Sequence, residues 1–146
     1  MENYRGVRNQ LLAEHIIKNL ESRNMAGFYA ESKEEALKLA LDMMPAGSTV
    51  GWGGSASLTE IGLKQAVCEG GYQVINRDVC KTPEEKRKAE LACFDCDYFL
   101  ASSNAVTHDG ILVNIDKFGN RIAAIAFGAK NVILIVGMNK VTKNVE

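Results

Sequence analysis

Short apolar runs alternate with helical segments along most of the chain, and this alternation restricts the possible folds more than any other feature. The apolar runs, such as "NVILIVG", are continuous rather than interrupted by polar residues, which is typical of strands covered on both faces. Strands that alternate with helices form α/β folds with a largely parallel sheet. We therefore predict a three-layer, doubly wound, mostly parallel sheet, with an antiparallel excursion in the hairpin-like run 105–115.

Helical periodicity and capping signals place the individual elements. Ser32 with Glu35, and Ser57 with Glu60, have the spacing of a capping box, which marks a helix start. Thr82 precedes a proline at the first helical position, which is another start signal. We predict helices over residues 4–23, 32–44, 57–68, 82–92 and 121–127, and strands over 25–31, 48–52, 72–76, 97–103, 111–115 and 131–137.

Length and charge exclude several classes of function. A chain of 146 residues fits one domain. Its 17 basic and 18 acidic residues give a net charge of -1, which argues against a nucleic-acid partner. No apolar run approaches the ~20 residues that span a bilayer, and the amphipathic segment 1–15 lacks the apolar core of a signal peptide. We expect a single cytoplasmic domain with neither a nucleic-acid nor a membrane partner.

The four cysteines are Cys68, Cys80, Cys93 and Cys96. Structural disulfides are rare in a reducing compartment, so we expect free thiols. Cys93 and Cys96 have the C-x-x-C spacing of a metal or redox site, but a zinc site would need a second pair or nearby histidines. We predict ordinary buried thiols, keep a Cys93–Cys96 metal or redox site as an alternative, and name no metal ligands.

A glycine-rich loop, "GWGGSAS", connects a predicted strand to a predicted helix. In open α/β sheets, ligands bind at the carboxyl ends of the strands, and a helix start there offers free amides to an anion. Gly53 and Gly54 would let the backbone approach a phosphate or carboxylate, and the hydroxyls of Ser55 and Ser57 would donate to it. The alternative is a tight turn in which Ser57 only caps its helix.

The same loop has a superficial likeness to a dinucleotide-binding motif. "GWGGSA" fits the G-x-G-x-x-A pattern, and Asp78 follows the next predicted strand. This acid comes later than the usual ~20 residues, and the motif does not open the fold. Binding of NAD(P) is therefore the weaker interpretation.

Two further segments gather polar side chains. The run 102–116 leaves an apolar strand and carries five candidate ligand-binding residues, Ser103, Asn104, Thr107, Asp109 and Asn114, together with Asp116. Asp109 precedes Gly110 and is also a natural turn residue.

Asn120 and Arg121 begin a short helical segment, with Asn120 as the predicted N-cap. A cation is disfavoured at a helix start, so Arg121 requires a negative partner. That partner is either Asp116 or a bound anion, and the sequence leaves both open.

Three stretches together resemble the lactate-utilisation domain family, the LUD proteins: "VGWGGSASLTEIGL", "FLASSNAVTHDGILVNID" and "GNRIAAIAFGAKNVILIVGMNKV". The family is similar in fold to the superfamily of ribose-phosphate isomerase, glucosamine-phosphate isomerase and coenzyme A transferase. The resemblance implies a role around L-lactate oxidation, beside iron–sulfur and flavin-type subunits. It covers nearly the whole chain. It also implies a C-terminal helix that this sequence lacks after its last predicted strand, so we expect that side of the sheet to be bare or covered by a partner.

The resemblance also implies which residues form the site. It points to Gly53, Gly54 and Ser55 with Glu60, to the run from Ser103 to Gly110, and to Asn114, Asp116, Gly119, Asn120 and Arg121. The cysteine motifs of the family's iron–sulfur members are absent, which argues against an electron-transfer role for this chain itself.

Three functions remain after this reading. The first is a non-catalytic protein that binds a small anion (a phosphate, a carboxylate or an acyl carrier) and works with a redox subunit or as a homo-oligomer. The second is an isomerase or coenzyme A transferase-type enzyme, for which Asp116 and then Glu60 are the candidate catalytic carboxylates. The third is the Cys93–Cys96 site. The sequence identifies no cofactor.

Overall fold

Four parallel strands form the central sheet of the computed structural model, which describes residues 3–146. Across this sheet and a second, smaller one, the strands are β1 (Thr49–Trp52), β2 (Gln73–Ile75), β3 (Tyr98–Ala101), β4 (Ala105–Thr107), β5 (Leu112–Val113), β6 (Asn131–Leu134) and β7 (Val141–Thr142). The helices are α1 (Tyr4–Glu21), α2 (Lys33–Met43), α3 (Ala56–Glu60), α4 (Leu63–Glu69), α5 (Pro83–Ala92) and α6 (Asn120–Ala123). The central sheet has the order β2-β1-β3-β6, and every neighbouring pair in it is parallel. The α/β prediction is confirmed.

A second, three-stranded sheet has the order β5-β4-β7. Strands β4 and β5 are antiparallel, with Ala105 opposite Val113 and Val106 opposite Leu112. This hairpin is the antiparallel excursion expected from the run 105–115. Strand β7 pairs with β4 in parallel and was not predicted, because a two-residue strand leaves no periodicity to read.

The apolar core lies on both faces of the central sheet. On one face, Trp52 and Leu100 pack with Leu58 and Leu63 from α3 and α4. On the other face, Phe99 packs among the smaller buried residues Cys93, Cys96, Ala101 and Ala124. Consecutive residues of β3 therefore point to opposite faces, as the pleat of a strand requires. Burial on both faces explains the continuous apolar runs and gives the three-layer arrangement.

The predicted helix 57–68 begins at the wrong residue and is interrupted. Ser55, rather than Ser57, is the N-cap, and its Oγ accepts a hydrogen bond from the Leu58 amide at 3.3 Å. The helix stops at Glu60, and α4 begins after Gly62, whose φ of +75° lies in the left-handed region. The Ser57–Glu60 capping box is therefore wrong, because Ser55 caps the helix and Ser57 lies in its first turn; the turn at Gly62 separates α3 from α4.

Two other elements differ from prediction. Residues 25–31 form no strand; Gly27 instead packs closely on α1, where an added Cβ would lie 2.9 Å from Cγ1 of Ile17. The predicted helix 121–127 consists of the single turn α6 followed by a π-type turn, Ala124–Gly128. Its N-cap is Gly119, at φ +75°, rather than Asn120.

The helix predictions succeed where start signals and periodicity agree. The first predicted helix corresponds to α1, and Oγ of Ser32 accepts from the Glu35 amide at 3.1 Å at the start of α2. Oγ1 of Thr82 accepts from the Glu85 amide at 3.2 Å at the start of α5, with the proline at its first position. Within residues 3–146, none of the helices combines the length and the apolar character needed to cross a bilayer.

Candidate functional site

An open cleft of about 320 Å³ lies at the carboxyl ends of β1, β2 and β3. Gly54, Arg77 and Asn104 follow these three strands and contribute to its wall. Helix α5 and the segment 115–121 complete the wall. This is the edge at which an open parallel sheet binds its ligands, and the chain from β1 leads directly into it.

Arg121 is the most extensively bonded side chain in the wall. Its Nε donates to Oδ1 of Asp116 at 2.9 Å, its Nη1 to the carbonyl of Ser102 at 3.1 Å, and its Nη2 to Oδ1 of Asn104 at 2.7 Å. Nη2 also lies 3.3 Å from the carbonyl of Ile115. Of the two partners that the sequence left open for Arg121, the structure provides Asp116.

Asp116 has a second contact that fixes its position. Its Oδ2 accepts from the Ile122 amide at the start of α6, at 2.6 Å. Both carboxylate oxygens are thus engaged, one by Arg121 and one by the helix. The side chain is 11% exposed. This geometry supports a positioning role, in which Asp116 joins the segment 115–118 to α6 and orients Arg121.

Glu90 connects two other elements of the wall. Its Oε1 lies 3.3 Å from Nη1 of Arg77 and accepts from Nδ2 of Asn120 at 3.0 Å. The side chains of Arg77 and Glu90 are 15% and 25% exposed, so this pair is partly shielded from water. Asn120 therefore links α6 to α5 rather than capping its own helix.

Two lysines in the wall have no carboxylate partner among residues 3–146. Lys86 lies exposed on α5, and Lys117 lies exposed in the segment 115–118. Nζ of Lys117 lies 5.2 Å from the centroid of the Phe118 ring. The other charges of the wall are paired, Arg121 with Asp116 and Arg77 with Glu90. The cleft therefore has an excess of positive charge.

The glycine-rich loop contributes to this site through its two glycines. A Cβ on Gly53 would lie 3.2 Å from Cγ of Arg121, so the backbone of Gly53 packs against that side chain. Gly54 lines the cleft, and an added Cβ there would meet nothing within 4 Å. Ser55 caps α3, whereas Ser57 and the exposed Glu60 are not among the described residues that line the cleft.

Four of the predicted ligand-binding residues belong instead to the hairpin of β4 and β5. Oγ of Ser103 donates to Oδ1 of Asn114 at 3.0 Å, so this half-buried amide has a hydrogen-bond partner. The Thr107 hydroxyl donates to Asp109. Oδ2 of Asp109 in turn lies 3.8 Å from Nη2 of Arg23, which follows the end of α1. None of these four lines the described cleft. Their recorded contacts hold the hairpin and dock it on α1.

Asp78, the acid of the dinucleotide-like pattern, is held by other side chains. Its Oδ2 accepts from Nε1 of Trp52 at 3.0 Å and from Nζ of Lys64 at 2.9 Å. Partial burial raises the pKa of Asp78, but the hydrogen bonds from Lys64 and Trp52 outweigh this effect and hold the pKa below its usual value. These contacts fasten β1 to α4.

The cysteines divide into two groups. Cys93 and Cys96 are buried free thiols, as predicted, and burial raises the pKa of the Cys93 thiol to about 12. Sγ of Cys96 donates to the carbonyl of Cys93 at 3.0 Å. Cys68 is exposed, so the expectation of burial is wrong for it, and Cys80 is intermediate. No three His, Cys, Asp or Glu side chains in the described part of the chain are grouped to hold a metal ion.

The sequence reasoning missed six residues of the wall: Arg77, Lys86, Glu90, Ile115, Lys117 and Phe118. The first three follow or belong to elements that were predicted, but nothing local distinguishes a lysine or glutamate of α5 that faces a cleft from one that faces solvent. Their distance along the chain from the segment 115–121 hides the contact. The position of Arg77 just after β2, at the same sheet edge as Gly54, is the one signal that was available.

A family model described as the LUD domain matches residues 13–146, which is nearly the whole chain. Comparisons with curated proteins and with solved structures give no match.

Proposed function

The chain belongs to the LUD domain family, and we propose that it binds a small anion in the cleft as part of L-lactate utilisation. Membership of the family suggests a function related to lactate utilisation. The anion is a phosphate, a carboxylate or the acidic group of an acyl carrier. We place this activity in the cytoplasm, with a redox subunit or a second copy of the chain as the partner.

The observation that carries the proposal is the pair of unpaired lysines at the sheet edge. Lys86 and Lys117 lie in the wall of the same cleft, while the neighbouring arginines already have carboxylate partners. Two positive charges without a partner in one cleft attract an anion more strongly than isolated surface charges, because their fields add and the walls of the cleft focus them. Paired Arg121 and Arg77 then act as a fixed, preorganised frame beside them.

The experiment is a thermal-shift titration with inorganic phosphate, lactate, pyruvate, sugar phosphates and coenzyme A esters. We compare wild type with Gly54→Val, whose side chain would enter the cleft from a position where nothing lies within 4 Å. Gly71→Val is the matched control, because an added Cβ there first meets Ala46 at 3.9 Å and Gly71 lies outside the cleft. A ligand at about a hundred times its Kd adds ~2.7 kcal/mol to the free energy of unfolding.

We expect at least one anion to raise the Tm of wild type and of Gly71→Val, but not of Gly54→Val. Equal shifts in all three proteins would place the binding site elsewhere. If no anion shifts the Tm of wild type, the proposal of an anion-binding cleft is refuted.

An isomerase or coenzyme A transferase-type enzyme is the second candidate, and the position of Glu90 favours it. Such chemistry needs a carboxylate that can take a proton or attack the substrate. Asp116 has both oxygens engaged, whereas Glu90 lines the cleft and makes its contacts through Oε1. Under this candidate function, Glu90→Gln abolishes turnover of a bound substrate while its Kd changes little. Unchanged turnover in that variant would refute the assignment.

A further inference from the structure

Two large apolar side chains stand at the wall of a cleft that is otherwise polar and charged. Ile115 is 75% exposed and Phe118 is 80% exposed, and both line the cleft. Single exposed apolar residues are common on protein surfaces. Here the two lie in one short segment and face the same cleft as the unpaired Lys86 and Lys117.

The segment 115–118 is held in place although these side chains are exposed. The Ile115 amide donates to Oδ1 of Asn104 at 2.9 Å, and the carbonyl of Ile115 lies 3.3 Å from Nη2 of Arg121. Asp116 is bound to Arg121 and to the start of α6. The segment is therefore anchored at residues 115 and 116 and continues into α6 at Asn120, and the exposed Ile115 and Phe118 belong to this part of the folded site.

A positive charge lies next to this apolar surface. Nζ of Lys117 is 5.2 Å from the centroid of the Phe118 ring. An anion that pairs with Lys117 from the side of the ring therefore brings its neighbouring atoms against Phe118. A ligand that has only the anionic group leaves the apolar surface in water, whereas one with an adjacent apolar group covers it.

We propose that the cleft selects organic anions in which an apolar or aromatic group is bonded directly next to the acidic group. The acidic group lies between Lys86 and Lys117, and the apolar group covers Ile115 and Phe118. This inference rests on the proposed anion-binding function and adds the chemical class of the ligand. The acidic group is a phosphate or a carboxylate, and the probes separate these two sources.

The test uses two pairs of ligands. The two members of a pair have the same acidic group and differ only in the size of the apolar group bonded to it. Phenyl phosphate is compared with methyl phosphate, and benzoate with acetate, by isothermal titration calorimetry. We expect the aromatic member of at least one pair to bind wild type about tenfold more tightly, because burial of apolar surface adds to the charge interaction. The pair that shows binding identifies the acidic group.

Two variants with a matched control assign the preference to the apolar surface. Phe118→Ala should bring the affinity ratio of the two ligands close to one. Because this change also removes the ring beside Lys117, Ile115→Ala serves as a second variant that should lower the ratio without touching that contact. Phe127→Ala is the control, since Phe127 is 93% exposed but does not line the cleft, and its ratio should equal that of wild type. Lys117→Gln should weaken both members of a pair alike.

The outcomes separate this inference from the proposed function. Equal affinity of wild type for both members of the binding pair, with binding lost in Gly54→Val, would overturn the apolar selection and leave the anion site intact. Equal loss of the preference in Phe118→Ala and Phe127→Ala would also overturn it. Absence of binding by all four probes would overturn the anion site and the selection together.

Discussion

Removing Asp116 should destabilise the protein strongly, because Arg121 would lose its only carboxylate partner among residues 3–146. The two side chains are each 11% exposed, and Nε of Arg121 lies 2.9 Å from Oδ1 of Asp116. Breaking a buried pair by removing one partner costs roughly 3–5 kcal/mol. The loss of the contact to the Ile122 amide, which acts as a helix cap, adds about 1 kcal/mol.

The remaining partners of Arg121 reduce this cost. The carbonyl of Ser102 and Oδ1 of Asn104 still accept hydrogen bonds from the guanidinium, so its charge is not left without polar contacts. We therefore expect Asp116→Ala to lower the free energy of unfolding by about 4 kcal/mol, which is the lower end of the range for the pair plus about 1 kcal/mol for the cap. For a domain of this size the Tm should fall by roughly 13 °C.

Urea denaturation followed by circular dichroism measures this loss, and a double-mutant cycle isolates the pair. Asp116→Ala, Arg121→Met and the double variant are compared with wild type. We expect the double variant to be more stable than the sum of the single changes predicts by at least ~1.5 kcal/mol, because it leaves no unpaired charge. A loss below about 1 kcal/mol in Asp116→Ala, with no coupling, would refute the structural pair and favour a bound anion as the partner of Arg121.

Three further predictions concern the rest of the chain. Gly51→Ala should lower the free energy of unfolding, measured by urea denaturation, by about 1–3 kcal/mol, because the added Cβ would lie 2.5 Å from Sγ of Cys93. Most of this loss should disappear in a Cys93→Ala background, and no rescue there would refute the steric cause. Iodoacetamide at about pH 8 should modify the exposed Cys68 in the native protein much faster than the buried Cys93. The thiolate is the reactive form, and burial raises the pKa of the Cys93 thiol to about 12. Equal modification rates of the two cysteines, measured by peptide mass spectrometry, would contradict this. Hydrogen bonds from the Thr49 amide and from Lys130 lower the pKa of Asp97 below its ordinary 3.8. Ionised Asp97 therefore stabilises the folded state fully above that pH, and this stabilisation is lost as the pH falls through the folded-state pKa. Asp97→Asn should therefore lose less stability than wild type between about pH 4 and pH 2 in acid titrations followed by fluorescence, and parallel curves would contradict it.

The location of the candidate site was predictable because it depends on sheet topology. Apolar runs that alternate with helices require a parallel sheet, and the carboxyl ends of its strands lie at one edge. Gly54 and Asn104 follow such strand ends, so their approach in space was predictable from the order of the elements along the chain. Helix starts were predictable only where the capping residue and the periodicity agreed, as at Ser32, and the prediction failed at Ser57 because Ser55 caps that helix two residues earlier.

The role of each side chain within the site was not predictable in the same way. Asn104 and Asn114 are both amides in the same polar run, yet one accepts from Arg121 at the cleft and the other from Ser103 in the hairpin. Asn104 lies just before β4 and Asn114 just after β5, so the partner of each depends on how this end of the hairpin packs against the rest of the fold. Arg121 lies 17 residues from Asn104, and Ser103 lies 11 residues from Asn114, so neither partner follows from the local sequence.

The sequence by itself determined the α/β class, the antiparallel hairpin and the edge of the sheet at which polar residues gather, because periodicity and chain order are local properties. Only the tertiary structure decided the charge of the cleft. It brought Lys86 of α5 to the segment that holds Lys117, and it neutralised Arg121 with Asp116 and Arg77 with Glu90. Whether a charge is paired depends on distances in space between residues that the chain keeps far apart.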